Sequence, residues 1–165
     1  MKVVNEPEDV KQRVWTNWNS AGTLTARYAD KQLGEATNSS FQQFAVLLVM
    51  KQMGENANAT EMAKMLNKNT NTLSTILDRM EAKGLVKKNR DTEDRRVVYA
   101  IMTEKGKKKL AATEKANLVL FDKLASSFSP EELKTLNTLL EKLINATEKA
   151  LNPDKPARKR SRHVD

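Results

Sequence analysis

From Asn69 to Gly84 the apolar residues Leu73, Ile76, Leu77 and Met80 recur at i, i+3, i+4 and i+7. That is one stripe of helical period, and it has to face a core. The opposite face carries Asn71, Thr72, Ser74, Thr75 and Arg79. Gly84, following Lys83, is the residue type that ends a helix in left-handed geometry. Upstream, Thr60 to Leu66 begins with a hydroxyl cap and an acid and continues with apolar residues at 62, 63, 65 and 66, predicting a short helix. Asn67-Lys68-Asn69 between them predicts a tight turn, so the pair is a helix-turn-helix candidate. Downstream, Leu85 to Lys88 and Arg96 to Met102 predict two strands around the polar loop Asn89 to Arg95, a projecting wing.

The flanks have helical periodicity too. Val10, Val14, Trp15, Trp18, Ala21, Leu24, Tyr28 and Leu33 predict a long first helix, opened by Asn5 to Asp9 and broken by Gly34 to Asn38. Ser39 or Ser40 then caps a second helix through Phe41, Phe44, Leu47, Leu48 and Lys51, ending near Gly54. Glu55 to Ala59 is a polar connector with room for one very short strand. Beyond the wing, Thr103-Glu104 opens a long helix whose inner positions are predicted to be Leu110, Asn117, Leu118, Phe121, Leu124 and Phe128. Ser129-Pro130-Glu131-Glu132 combines an N-cap, Pro at N1 and Glu at N3, a capping box. It starts a last helix striped by Leu133, Leu136, Leu140, Leu143 and Ile144, with Leu139 widening the stripe. The segment from Asn152 to Asp165 holds two prolines and five cations and has too little apolar matter to fold.

The run Arg90-Asp91-Thr92-Glu93-Asp94-Arg95-Arg96 followed by Val97-Val98-Tyr99-Ala100-Ile101-Met102-Thr103-Glu104-Lys105-Gly106 resembles the wing signature of MarR-type winged helix-turn-helix transcription regulators. That signature is an Asp-x-Arg, a hydrophobic strand and Leu-Thr-x-x-Gly. Met102 stands where the family usually has Leu. Leu73 to Val86 is similar to the family's recognition helix and its exit. The resemblance implies a mainly α fold with a small β wing, a winged helix-turn-helix flanked by N- and C-terminal dimerisation helices. The divisions expected are 1–34 for the N-terminal dimerisation helix, 38–106 for the DNA-binding lobe, 104–151 for the C-terminal dimerisation helices and 152–165 for a disordered basic tail. Independently, the terminal apolar stripes are too long for one small module to cover. The simplest partner for them is a second copy, whose two-fold symmetry suits a pseudopalindromic operator.

Charge supports the same reading once it is divided. The net charge of +8 is zero over residues 1–59, with six cations and six acids, and +6 over 60–110, with thirteen against seven. Residues 111–151 have five against six, and 152–165 five against two. The excess therefore sits on the helix-turn-helix, the wing and the tail, where a polyanion partner needs it. Short polar side chains let a helix backbone enter a major groove about 12 Å wide, so Asn71, Thr72, Ser74, Thr75 and Arg79 are the predicted DNA contacts there. Arg95 and Arg96 serve the wing, where an arginine can enter a narrow minor groove. Carried over from the family's Asp-x-Arg, Asp94 braces the wing by pairing with Arg96 and Arg96 probes the groove; Arg95 is the alternative probe. The tail cations Arg158, Lys159, Arg160 and Arg162 either add nonspecific phosphate attraction or aid solubility.

The family resemblance also implies a ligand cleft between the dimerisation helices and the winged helix, open to small aromatic or anionic molecules. Residues suited to line it are Trp15, Trp18, Tyr28, Phe44 and Met50, with Arg13 or Arg27 to balance an anion; the alternative is that these aromatics and methionines are core or interface. With no cysteine and a single histidine, His163, in the tail, there is no thiol redox switch, and neither a metal site nor a cofactor is expected. The same scarcity removes the usual nucleophile and base pairings of an enzyme. No apolar run is long enough to span a bilayer and no signal peptide opens the chain, so the expected location is the cytoplasm. The expected function is a homodimeric, sequence-specific transcription regulator, a repressor in the commonest family pattern, tuned by a small organic ligand. The alternative is a winged-helix module that binds protein without specific DNA binding. It is disfavoured because the polar reading face has no exposed aromatic anchor.

Overall fold

The computed structural model describes residues 6–94, 97–151 and 153. The predicted wing arginines Arg95 and Arg96, the cap at Asn5 and all of the basic tail except Pro153 lie outside the described residues. The chain runs α1 (Glu6–Thr37), α2 (Phe41–Met53), β1 (Ala57–Asn58), α3 (Ala59–Met65), α4 (Thr70–Ala82), β2 (Val86–Arg90), β3 (Val98–Met102), α5 (Glu104–Ala125) and α6 (Pro130–Leu151). It is mainly helical with one small antiparallel sheet, and it divides into two compact units, residues 1–120 and 121–165.

In the first unit the break expected over Gly34 to Asn38 falls at the end of that stretch, not at Gly34 itself. A glycine inside a helix costs about 1 kcal/mol but leaves its hydrogen bonds intact, and α1 continues to Thr37. Asn38 stops it by taking φ 51°, a left-handed conformation that asparagine tolerates. Its N–H then donates to the carbonyl of Gly34 at 2.9 Å. Of the two serines expected to cap α2, Ser40 does so. Its hydroxyl accepts the Gln43 N–H and the Gln43 side chain accepts the Ser40 N–H, a reciprocal capping box. Asp30 Oδ1 on α1 accepts the Phe41 N–H at 2.7 Å, tying the start of α2 to the preceding helix.

The sheet order is β1-β3-β2, with Ala57 opposite Ala100 and Val86 opposite Met102. Its inner side joins a core of Leu33, Phe44, Val46, Leu47, Met50, Met62, Leu73, Leu77, Met80 and Leu110. α2 packs on α3, α4 and β3, so the helix-turn-helix and the wing share one apolar interior. From α5, Lys109 Nζ donates to the terminal carbonyl of α1 at Thr37, and Lys51 of α2 pairs with Glu114 at 2.7 Å.

The second unit holds the end of α5, a turn and α6. The predicted capping box is present: Ser129 N–H donates to Glu132 Oε2 at 2.7 Å and Glu132 N–H to Ser129 Oγ at 3.2 Å. No residue of α6 is buried. The inner positions predicted for the preceding helix need correction. Leu110 is buried and Asn117 and Leu124 are half-buried, but Leu118 and Phe121 are exposed, and Phe128 is exposed in the turn beyond the helix end. The buried positions of α5 are Gly106, Leu110, Thr113 and Leu120. Periodicity identifies an apolar stripe; it does not supply the layer that covers it.

Candidate nucleic-acid interface

The reading element is built from its caps inward. α3 is capped by Asn58, not by the predicted Thr60: Asn58 Oδ1 accepts the N–H groups of Thr60 and Glu61 at 2.9 and 3.2 Å. Asparagine at the end of β1 reaches both donors, which places the cap two residues earlier than the hydroxyl suggests. The turn passes through Asn67 at φ 50°. Asn69 Oδ1 then accepts the Thr72 N–H at 2.7 Å and starts α4. At the far end Gly84 takes φ 69°, and the Leu85 N–H reaches back to the Met80 carbonyl at 2.9 Å. This is the Schellman closure expected from the glycine.

Leu73, Ile76, Leu77 and Met80 are buried to 6% exposure or less. Asn71, Thr72, Ser74, Thr75 and Arg79 are all exposed on the other side of the same helix. The Thr75 hydroxyl donates to the Asn71 carbonyl at 3.1 Å, so its lone pairs remain available to an outside donor. The stripe ends in two acids, Asp78 and Glu81, both of which engage Lys88 of β2. The elements that pack on α4 carry the exposed cations Lys64 on α3 and Lys87 and Arg90 on β2. The arrangement offers hydrogen-bonding side chains of short reach and the cation Arg79, with no apolar anchor among them.

A knot at the start of α5 holds α4 to the sheet. Thr103 Oγ1 donates to the Gly84 carbonyl at 2.7 Å and accepts the Gly106 N–H at 3.0 Å. Lys105 Nζ donates to the Lys83 carbonyl at 2.7 Å, where the negative end of α4 favours a cation. A Cβ on Gly106 would lie 2.1 Å from the Leu85 carbonyl oxygen, so only glycine fits there. This is the physical content of the Thr-x-x-Gly pattern.

In the wing, Asp91 is a residue that sequence reasoning missed. Its Oδ1 accepts the N–H groups of Glu93 and Asp94 at 2.8 and 3.0 Å. These backbone donors, Asp94 first and then Glu93, hold its carboxyl below the usual aspartate range. Asp91-Thr92-Glu93-Asp94 is the signal that was available, an aspartate bonding the backbone two and three residues ahead. Asp94 gives its N–H to Asp91 and its carbonyl to the Val97 N–H at 2.8 Å; its expected partner Arg96 lies outside the described residues.

The residues suggested for a ligand cleft are not brought together. Phe44 and Met50 belong to the core, and Tyr28 is half-buried. Arg13, Trp15, Trp18 and Arg27 lie exposed along α1, and Arg13 pairs with Asp9 at 3.7 Å. A shallow depression on α1 is lined instead by Asn19, Ser20, Thr23 and Leu24. Among the described residues no His/Cys/Asp/Glu group could hold a metal ion, and no helix is long and apolar enough to cross a membrane.

Residues 40–98 match the family model described as MarR family. The HTH-type transcriptional regulator MgrA of Staphylococcus aureus is 29% identical over 145 residues, covering 87% of this chain and 95% of MgrA. Among solved structures, the organohalide-sensing regulator RdhR-CbdbA1625 in its 2,4-dichlorophenol-bound form superposes with TM-score 0.80 at 22% identity. The match covers 97% of this chain and 98% of that one. Sco3205, a MarR family transcriptional regulator from Streptomyces coelicolor solved in complex with DNA, superposes with TM-score 0.76 at 23% identity, covering 87% and 88%. The two structural likenesses establish a shared fold.

Proposed function

Because the chain belongs to the MarR family of winged helix-turn-helix transcription regulators, we propose that it acts as a homodimer on a pseudopalindromic operator. In this reading α4 enters the major groove with Asn71, Thr72, Ser74, Thr75 and Arg79, and Arg95 or Arg96 serves the wing with Asp94 as brace. The observation that carries it is the division of α4 into a buried apolar stripe and an exposed polar face, with exposed cations on the elements that pack on it. The partner surface is drawn from the terminal helices. α1 exposes Val10, Val14, Trp15, Trp18 and Leu24, and α6 exposes Leu136, Leu139, Leu143 and Leu151; apolar matter of that extent calls for a second copy. We assign a repressor role in the cytoplasm, tuned by a small aromatic or anionic ligand; the dichlorophenol bound to RdhR-CbdbA1625 supports that ligand class. A ligand that prefers a dimer with wrongly spaced reading helices lowers DNA affinity by the ratio of its affinities for the two shapes.

The test is fluorescence anisotropy on the DNA upstream of the protein's own gene against shuffled DNA, across a salt series. Binding at least ~10³-fold tighter to the upstream DNA, with a steep salt slope, is the expected result. Equal binding to both would remove that promoter as the target. Absence of binding even at low salt would overturn the reading in favour of a protein-binding module.

A further inference from the structure

The helical stripe that carries Asn71, Ser74 and Thr75 continues at i+7, i+4 and i+3 into Asp78, and one turn later reaches Glu81. Two uncompensated carboxylates at the end of a reading face would repel the phosphates that the face has to approach. Lys88 lies against both. Its Nζ donates to Asp78 Oδ1 and stands 3.6 Å from Glu81 Oε2, while its backbone N–H donates to Glu81 Oε1 at 2.7 Å. The Lys88 side chain is 26% exposed, against 56% for Asp78 and 41% for Glu81. It is therefore folded back onto the acids and does not project outward as the neighbouring exposed Lys87 does. The hydrogen bond that Lys88 gives to Asp78, above all, raises the Lys88 pKa, so the ammonium stays charged at neutral pH.

We propose that Lys88 is a positioning residue for DNA binding that masks the charge of Asp78 and Glu81 and touches no phosphate itself. The proposal rests on the DNA-binding reading above and deepens it. It explains why a helix meant for a polyanion can keep two acids on its reading side: their charge is spent within the protein, across the α4–β2 junction. A lysine serving phosphate would be replaceable only by another cation. A masking lysine becomes dispensable once the acids are gone.

Four proteins separate these cases by anisotropy on operator and shuffled duplex: wild type, Lys88→Met, Asp78→Asn/Glu81→Gln, and the triple variant. A unit charge about 6 Å from a phosphate at an effective permittivity of about 40 changes binding about tenfold. Lys88→Met is expected to weaken binding by about that factor per reading helix. Asp78→Asn/Glu81→Gln should bind at least as tightly as wild type, and the triple variant within about threefold of that double variant. Lys88→Arg, which keeps the charge, controls for folding and should match wild type. Weakening of Asp78→Asn/Glu81→Gln to the level of Lys88→Met would make the bridge a mere strut and overturn the proposal. A triple variant as weak as Lys88→Met would give Lys88 a phosphate of its own and overturn it equally. Both results presuppose a wild type that binds DNA; a wild type that binds neither duplex removes the DNA reading and the masking role together.

Discussion

The lobe from α2 to the start of α5 and the last helix α6 have similar stocks of leucine and opposite fates. In the lobe Leu47, Leu73 and Leu77 are 1% exposed or less, helix ends are capped by Ser40, Asn58 and Asn69, and the exit of α4 is closed by Gly84, Thr103 and Lys105. In α6 no residue is buried, and Leu139 is 56% exposed. Local structure is equally well specified in both, because the Ser129 capping box is as complete as the Ser40 one. The difference is tertiary. The lobe contains every layer that its stripes require, whereas α6 has a stripe without its layer. The lobe is finished within one chain, while α6 leaves its apolar stripe uncovered.

The sharpest way to break the self-sufficiency of the lobe is Gly106→Ala. The new methyl would meet the Leu85 carbonyl at 2.1 Å and Met102 Cγ at 2.8 Å, forcing α5 away from the exit of α4. A loss of about 3 kcal/mol or more is expected, the upper end for overpacking, measured by urea unfolding. Leu77→Ala, deep in the same core, should cost about 2–5 kcal/mol. In α6 the converse holds. Leu139→Glu/Leu143→Glu should leave the secondary structure by circular dichroism unchanged and halve the mass seen by sedimentation equilibrium. A variant that remained dimeric would move the partner surface elsewhere, α1 being the next candidate.

This contrast also marks what could be read from the residues alone. The α4 stripe, its glycine stop, the two strands and the Ser129 box are local patterns, and local physics decides them. What sequence reasoning placed wrongly depended on something not local. Thr60 looked like a cap because the reach of Asn58 from the end of β1 is set by the sheet. The break expected over Gly34 to Asn38 falls at the far end of that stretch because α1 is held there by other elements, through Leu33 in the core and Lys109 on the Thr37 carbonyl. Leu118 and Phe121 looked internal because a stripe does not announce whether its cover lies in the same chain. The polar face of α4 was legible residue by residue, but the Lys88 bridge joining Asp78 and Glu81 to β2 was not, since its members are separated by a turn of the chain.

A smaller effect tests the junction between α1 and α2. Ser39 is 4% exposed and its Oγ has no hydrogen-bond partner, which costs free energy that an alanine methyl would not. Ser39→Ala should therefore raise stability by about 1 kcal/mol, read as a higher urea midpoint at unchanged slope. A loss of stability would mean that the hydroxyl is satisfied in solution by a buried water.

The smallest effect concerns the wing and has a definite sign in pH. The Asp91 carboxyl lies below its ordinary value because the Asp94 and Glu93 N–H groups favour the ionised form. A carboxylate depressed in the folded state contributes stability above its unfolded pKa and loses it as pH falls through the folded one. The contribution is thus complete at neutral pH, still present at the pH where an ordinary aspartate protonates, and lost only below that. Protection of the Glu93 and Asp94 amides, taken against the intrinsic exchange rate at each pH, should persist down through the usual aspartate range and fall beneath it, whereas in Asp91→Ala it should be absent at every pH. If wild type and Asp91→Ala exchanged alike at neutral pH, the aspartate turn would not order the wing, and the bracing role would return to Asp94.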